Sequence, residues 1–405
     1  MDSIGGVISS DGWEKRFDRF LDPFLEAWRF KKRRKWGPLY LRGLLLPGER
    51  KSIEPLAERV APGHEQELRH FVSESDWDDQ AVEAVLWEKV DAMVGGDDSF
   101  LIIDDTALPK KGTESVGVAH QYCGALGKQA NCQSLVSFTL AKDDVPMPLS
   151  LPLYLPEAWA KDSARRSKVG VPEQVVFREK WRIALDEVKR LMMAGVRFRT
   201  VLADAGYGIC GPLRNELSAL GLLWAVGVLP NQRAYPSYAT TRMPRPRRGG
   251  KPRKHAVASH VDRKAVDIID ALGTSAFRSV KWRDGTKGPL CAHFAACRVR
   301  LTDGEKAAHG KGLPGDEVWL VCEQRTDERR YYVTNHPADT ALRELAFAIK
   351  ARWSCEQVHQ QLKEELGLDH FEGRSWRGLR HHALLTMMAF AFLQQERLRE
   401  NKAAA

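Results

Sequence analysis

Two short apolar runs, about a hundred positions apart, each lead into an aspartate, and this constrains the fold more than any other feature. Phe100-Leu101-Ile102-Ile103 leads into Asp104, and Val201-Leu202-Ala203 leads into Asp204. Short runs of branched and aromatic residues bounded by polar ones read as buried strands. A carboxylate that ends such a strand sits at the edge of a sheet, where a cation can reach it. A third acid, Glu356, lies on a long helical stretch between Arg352 and Lys363. Hard divalent cations take oxygen ligands, and a pair of them roughly 4 Å apart can cleave a phosphodiester. Asp104, Asp204 and Glu356 are therefore the candidate catalytic and metal-ligating residues. Asp204 is the expected bridging ligand, and two Mg²⁺ (or Mn²⁺) ions are the expected cofactor. Asp105 leaves the first position open. Alternation along a strand points Asp104 and Asp105 to opposite faces, and parity alone does not choose between them.

Around these acids the chain changes texture. Residues 1–95 read as helical, with Trp13, Phe17, Phe20, Leu21 and Phe24 at spacings of three and four on one face. The cations Arg29, Lys31, Lys32, Arg33, Arg34 and Lys35 follow. Further helices are expected over about 51–60, with Ser52 as cap, and over 65–73 and 78–94. Short helices beside a cationic cluster suggest a helical DNA-binding domain of helix-turn-helix type. From 96 to 215 the expected order is strands at 99–105, 133–141 and 148–155, a helix at 172–194 and a strand at 200–204. That is the order of an α/β, RNase-H-like mixed sheet flanked by helices, a likeness of fold alone.

Asp204 and Glu356 are 152 positions apart (356 − 204), too many for a simple connection, so an insertion is expected. It covers 216–337 and is β-rich, with strand-like runs at 222–229, 291–301, 318–322 and 330–333. Its segment 241–254 holds seven cations and no acid and reads as an arm gripping phosphates through Arg247, Arg248 and Lys251. The core resumes over 338–400. A helix over 339–366 places Arg352, Glu356 and Lys363 on one face, with His359 close by. A breaker at 367–376 and a last helix at 381–399 follow. Arg352, Lys363, Lys110, Lys111 and His359 are further candidate DNA contacts.

The net charge of +9 and a pI near 9.1 favour a polyanionic partner. Seven cysteines include no CxxC pair, so neither a zinc site nor a disulfide framework is indicated. The N-terminus lacks a signal-peptide pattern, and no apolar run nears the roughly 18–20 residues of a membrane span. The expected location is the bacterial cytoplasm, with the nucleoid, and no membrane partner.

Three blocks carry a resemblance: Asp104 through Gly112, Val201 through Gly208, and Arg352 through Lys363. Together with the segment 367–376 and His381-His382, they make the chain similar to bacterial insertion-sequence transposases of the DDE class, in the RNase-H-like integrase superfamily. The likeness runs from about 13 to 395. It implies binding to terminal inverted repeats, metal-dependent cutting, strand transfer into target DNA, and a homodimer in the synaptic complex. In the cut-and-paste branch the first acid stands two positions before a threonine and four before a leucine, so Thr106 and Leu108 favour Asp104. Arg352, Glu356 and Lys363 fit the third block, but Ile349 stands at its tyrosine position. That departure concerns a contact to the transposon end and leaves the metal chemistry alone. The alternatives are a domesticated DNA-binding protein without cleavage and an RNase-H-like nuclease that does not join ends. The three intact acids argue against the first.

Overall fold

The computed structural model describes residues 12–243, 255–285, 288–303 and 312–404. The chain forms two compact units, the first of residues up to Phe198 together with those from Trp353 on, the second of Arg199–Arg352.

Among the described residues the first unit opens with the helices α1 Trp13–Trp28, α2 Lys31–Leu45, α3 Ile53–Val60, α4 Glu65–Ser73 and α5 Asp79–Val94. The apolar stripe of α1 buries Phe17, Phe20, Leu21, Phe24 and Trp28. Ser52 holds the N-cap position of α3 without a side-chain capping bond. Asp78 caps α5, its Oδ1 accepting from the backbone of Gln80 and Ala81 at 3.1 Å each. Strands β1 Phe100–Pro109, β2 Ala119–Cys123, β3 Lys128–Lys142 and β4 Val145–Ser150 follow. β3 pairs antiparallel with the other three. Its hairpin to β4 turns through Asp143 and Asp144, both left-handed at φ 48° and 63°, as a tight two-residue hairpin requires.

β1 does not stop at Asp104. The residues beyond the two aspartates (Thr106, Ala107 and Leu108) are buried and continue the ladder on Leu135, Ser134 and Gln133. The short helices α6 Glu157–Lys161 and α7 Ser163–Lys168 precede α8 Lys180–Met193. α8 therefore starts eight residues later than the expected 172, and Phe177 stays exposed on the segment before it.

The second unit comprises β5 Thr200–Ala203, α9 Ala205–Gly208, α10 Gly211–Ala219, β6 Leu223–Val228, β7 Arg233–Pro236, β8 Thr241–Arg242, β9 Val257–Ala258, β10 Arg263–Lys264, α11 Ala265–Leu272, β11 Arg278–Gly285, β12 Gly288–Leu301, β13 Glu317–Gln324, β14 Arg329–Thr334 and α12 Leu342–Ala351. Its strands run in the order β10-β7-β12-β13-β14-β6-β5, with β11 also on β12 and a separate β8–β9 pair. β5 and β6 are parallel and the other pairs antiparallel. The strand-like runs expected over 216–337 thus lie in one mixed sheet. Arg247, Arg248 and Lys251 lie outside the described residues.

The first unit then resumes with α13 Ser354–Glu364 and α14 Trp376–Ala404. The single helix expected over 339–366 is two helices, interrupted at Arg352 and Trp353. The architecture is mixed α/β with a large mixed sheet and flanking helices, in keeping with an RNase-H-like fold. Among the described residues no helix is long and apolar enough to cross a membrane.

Candidate active site

The register of β1 on β3 separates the two adjacent aspartates. Asp104 stands opposite Ser137, and Asp105 opposite Val136. On the Asp104 side, Ser137 Oγ lies 2.6 Å from His359 Nε2, and Cys355 Sγ donates to Asp104 Oδ2 at 3.2 Å. Cys355 and His359 are four apart on α13, hence on one helix face. That face lies on β1 and β3, and the same helix carries Glu356 in its first turn. On the other side of the strands, Lys180 at the start of α8 donates to Asp105 Oδ2 at 2.6 Å and to Ser134 Oγ at 2.9 Å. Asp104 Oδ1 accepts the Asp105 backbone N–H at 2.8 Å. Asp104 therefore shares a face with the helix of Glu356, and Asp105 is held by a cation on the opposite face.

Glu356 is exposed, flanked by the buried Cys355 and Val358. Its N–H donates to Trp353 O at 3.1 Å, an i→i−3 bond that tightens the start of α13. Arg352 is the C-cap of α12. Arg352 and Trp353 both keep right-handed helical backbone angles (φ −56°, ψ −31° and φ −59°, ψ −23°), so the interruption is one of hydrogen bonding and leaves the backbone helical.

The expected DNA contacts differ in surroundings. Burial holds the Lys363 ammonium below the ordinary lysine range, with Asp369 opposing the shift. Lys110 is lowered by the same cause, and its Nζ donates to Phe371 O at 2.7 Å. His359 is buried against β3. Lys110 and His359 are thus engaged inside the unit, where DNA was expected to meet them. Lys111 is exposed.

Asp204, in the second unit, does follow the end of its strand β5. It is the N-cap of α9, with Oδ1 accepting from Tyr207 N at 3.3 Å. The Ala-Gly-Tyr-Gly block after it has a steric cause. A Cβ on Gly208 would lie 1.8 Å from Gly227 O of β6, so only glycine lets α9 approach. Arg214 of α10, only 2% exposed, donates to Gly208 O and pairs with Asp303 at 2.7 Å. Arg214, Ser137 and Cys355 were not singled out in the sequence, where nothing about them differs from ordinary core or surface residues.

Among the described residues, no group of three or more His, Cys, Asp or Glu side chains stands at metal-holding spacing. The donors at Asp104, Asp204 and Glu356 are carboxylate oxygens, which suit a hard divalent cation.

A family model described as DDE superfamily endonuclease matches residues 23–289. The chain belongs to the DDE superfamily endonucleases. The matched span contains Asp104 and Asp204 and ends before Glu356. The probable transposase for insertion sequence element IS701 of Microchaete diplosiphon is 31% identical over 172 residues. That match spans 42% of this chain and 42% of the relative, less than half of each.

Proposed function

We propose that this DDE superfamily endonuclease is a DNA transposase. It binds terminal inverted repeats, cuts the DNA there by phosphodiester hydrolysis, and joins the freed ends to target DNA by strand transfer. What supports this most is that Asp104 and the helix of Glu356 share one face of β1–β3, in a chain of this family. Asp104, Asp204 and Glu356 would hold two divalent ions, Mg²⁺ or Mn²⁺. When bound, such ions lower the pKa of a water and stabilise the leaving oxygen. Asp104 is oriented in advance, one oxygen held by the Cys355 thiol and the other by the Asp105 N–H. His359 and Ser137 hold α13 on β3. Lys110 holds the segment after α13 through Phe371 O. Arg352, Lys363 and Lys111 would take phosphates of the bound DNA. The working form would be a homodimer with paired ends, in the bacterial cytoplasm with the nucleoid.

The test is cleavage of duplexes carrying the element's terminal repeats, with Mg²⁺ present and withheld. Wild-type cutting that Asp104→Asn and Glu356→Gln abolish supports the proposal; cutting at the parent rate by Glu356→Gln ends it. Pre-cut ends offered with target DNA then separate joining from hydrolysis alone.

A further inference from the structure

The turn between α1 and α2 breaks local rules of helix design, and such breaks concentrate at functional sites. From Arg29 to Lys35 the chain has six cations, one phenylalanine and no acid. The run Lys31–Lys35 opens α2 without an acid in its first turn or a side-chain cap. Positive charge there opposes the helix dipole, so the arrangement costs stability in the isolated protein. Arg29 is left-handed at φ 55° and ψ −57°, and Phe30 N–H closes a three-residue turn on Trp28 O at 2.6 Å. That γ-turn is of the rare, strained kind, and it places Phe30 outward at 62% exposure. Arg33 braces the ring, its guanidinium 4.6 Å from the ring centroid, and donates to Asp76 O at 2.8 Å. Lys31, Lys32, Arg34 and Lys35 are all exposed. Beside them a groove of about 900 Å³ lies between α2 and α4, with Trp36 and Phe71 in its lining and Glu67 on the α4 side.

A singly exposed aromatic ring is ordinary; what marks Phe30 is that a guanidinium braces it inside a run of cations without an acid. A cationic rim around a braced, exposed ring matches one kind of partner, duplex DNA whose phosphates meet the cations and whose base stack admits an apolar wedge. We propose that Lys31, Lys32, Arg34 and Lys35 take backbone phosphates of duplex DNA. Phe30 inserts between base pairs and kinks the duplex, and the groove receives the displaced edge. The inference rests on the transposase reading for its substrate class and adds the surface and the manner of contact.

The experiment uses the full chain and duplexes bearing either the terminal repeat or a scrambled sequence. Binding is followed by anisotropy across a salt series, and bending by energy transfer between the duplex ends. The fourfold variant K31Q/K32Q/R34Q/K35Q should lower the slope of log affinity against log salt by about 3–4, at roughly 0.9 per phosphate. Phe30→Ala should keep the slope, lose the bend and weaken binding about tenfold, with Phe30→Trp restoring both. Thermal melts should show the fourfold variant no less stable than the parent, because its charges oppose the dipole. A fourfold variant with unchanged slope, or Phe30→Ala with the bend intact, overturns the inference. If terminal-repeat cleavage persists in either case, the transposase reading survives it. Wild-type protein that binds neither duplex sinks both.

Discussion

At the residue scale the decisive contact joins Asp104 to Cys355, 251 positions away. Alternation along β1 already separates Asp104 from Asp105, but it cannot say which face the glutamate's helix covers. That depends on long-range packing, with Ser137–His359 and Asp104–Cys355 on one side and Lys180–Asp105 on the other. Under the proposed function, Asp104→Asn should slow terminal-repeat cleavage on the order of 10³-fold, which is about 4 kcal/mol of transition-state stabilisation. Asp105→Asn breaks a half-exposed pair with Lys180 and should change the rate by less than about tenfold, as expected for a pair worth under roughly 1 kcal/mol. Equal losses in single-turnover assays would remove the distinction. Cys355 supplies a sharper test. Its buried thiol orients a proposed ligand, and loss of such outer contacts commonly weakens metal affinity about 10–100-fold. Cys355→Ala should therefore raise the Mg²⁺ concentration needed for half-maximal cleavage while largely keeping the rate at saturation; Cys355→Ser should stay near the parent. A fall in the saturated rate without a shift in metal requirement would count against an orienting role.

At the scale of elements, periodicity located α1, α3, α4, α5, β1, β3 and α14, because each buries one face, but it set no separate element at α2, β2, α6 or α7. It failed where a boundary depends on a distant neighbour. β1 runs through both aspartates because β3 offers partners as far as Cys132. The α12–α13 interruption falls at Arg352-Trp353, where no proline or glycine announces it. The segment 367–376 reads as a helix breaker in the sequence; in the structure it is a clamp inside the first unit. Lys110 donates to Phe371 O, the Lys51 N–H to His370 Nδ1, and the Val116 N–H to Arg374 O. Gly367 opens the clamp at φ +71°, and a Cβ there would lie 2.5 Å from Lys51 Cβ. Gly367→Ala combines a left-handed backbone with that clash and should destabilise the protein by about 1–3 kcal/mol. Urea titration followed by circular dichroism measures it. An unchanged midpoint would show that the clamp yields without cost.

For the whole molecule, the first unit merges what reads as two functions in the sequence. The N-terminal helices share an interior with α14. Phe17 and Phe20 pack on Phe392 at 5.1 and 5.5 Å between ring centroids, and Trp77 stacks on His381 at 3.6 Å. Tyr40 Oη lies 2.8 Å from His382 Nδ1, whose Nε2 is 2.9 Å from Gly367 O. A neutral imidazole donating to Gly367 O and accepting from Tyr40 satisfies both ring nitrogens. Burial pushes the His381 and His382 pKa values down to about 3 and about 4. The consequence has a definite sign. Unfolded histidine titrates near pH 6.5, so below that pH the unfolded chain binds protons that the folded one refuses. The contribution of these residues is complete above about pH 6.5 and fades on acidification until the folded pKa values are passed. By pH 5 each histidine should have lost about 2 kcal/mol of its contribution. Hydrogen exchange read on α14 peptides isolates this unit, so protection there should fall between pH 7 and pH 5 after correction for intrinsic exchange rates. His382→Gln should lower protection at pH 7, through lost bonds to Tyr40 and Gly367, yet flatten the pH dependence by about half. If wild-type protection is level across that range, the seam between the N-terminal helices and α14 does not exclude protons as the buried imidazoles require.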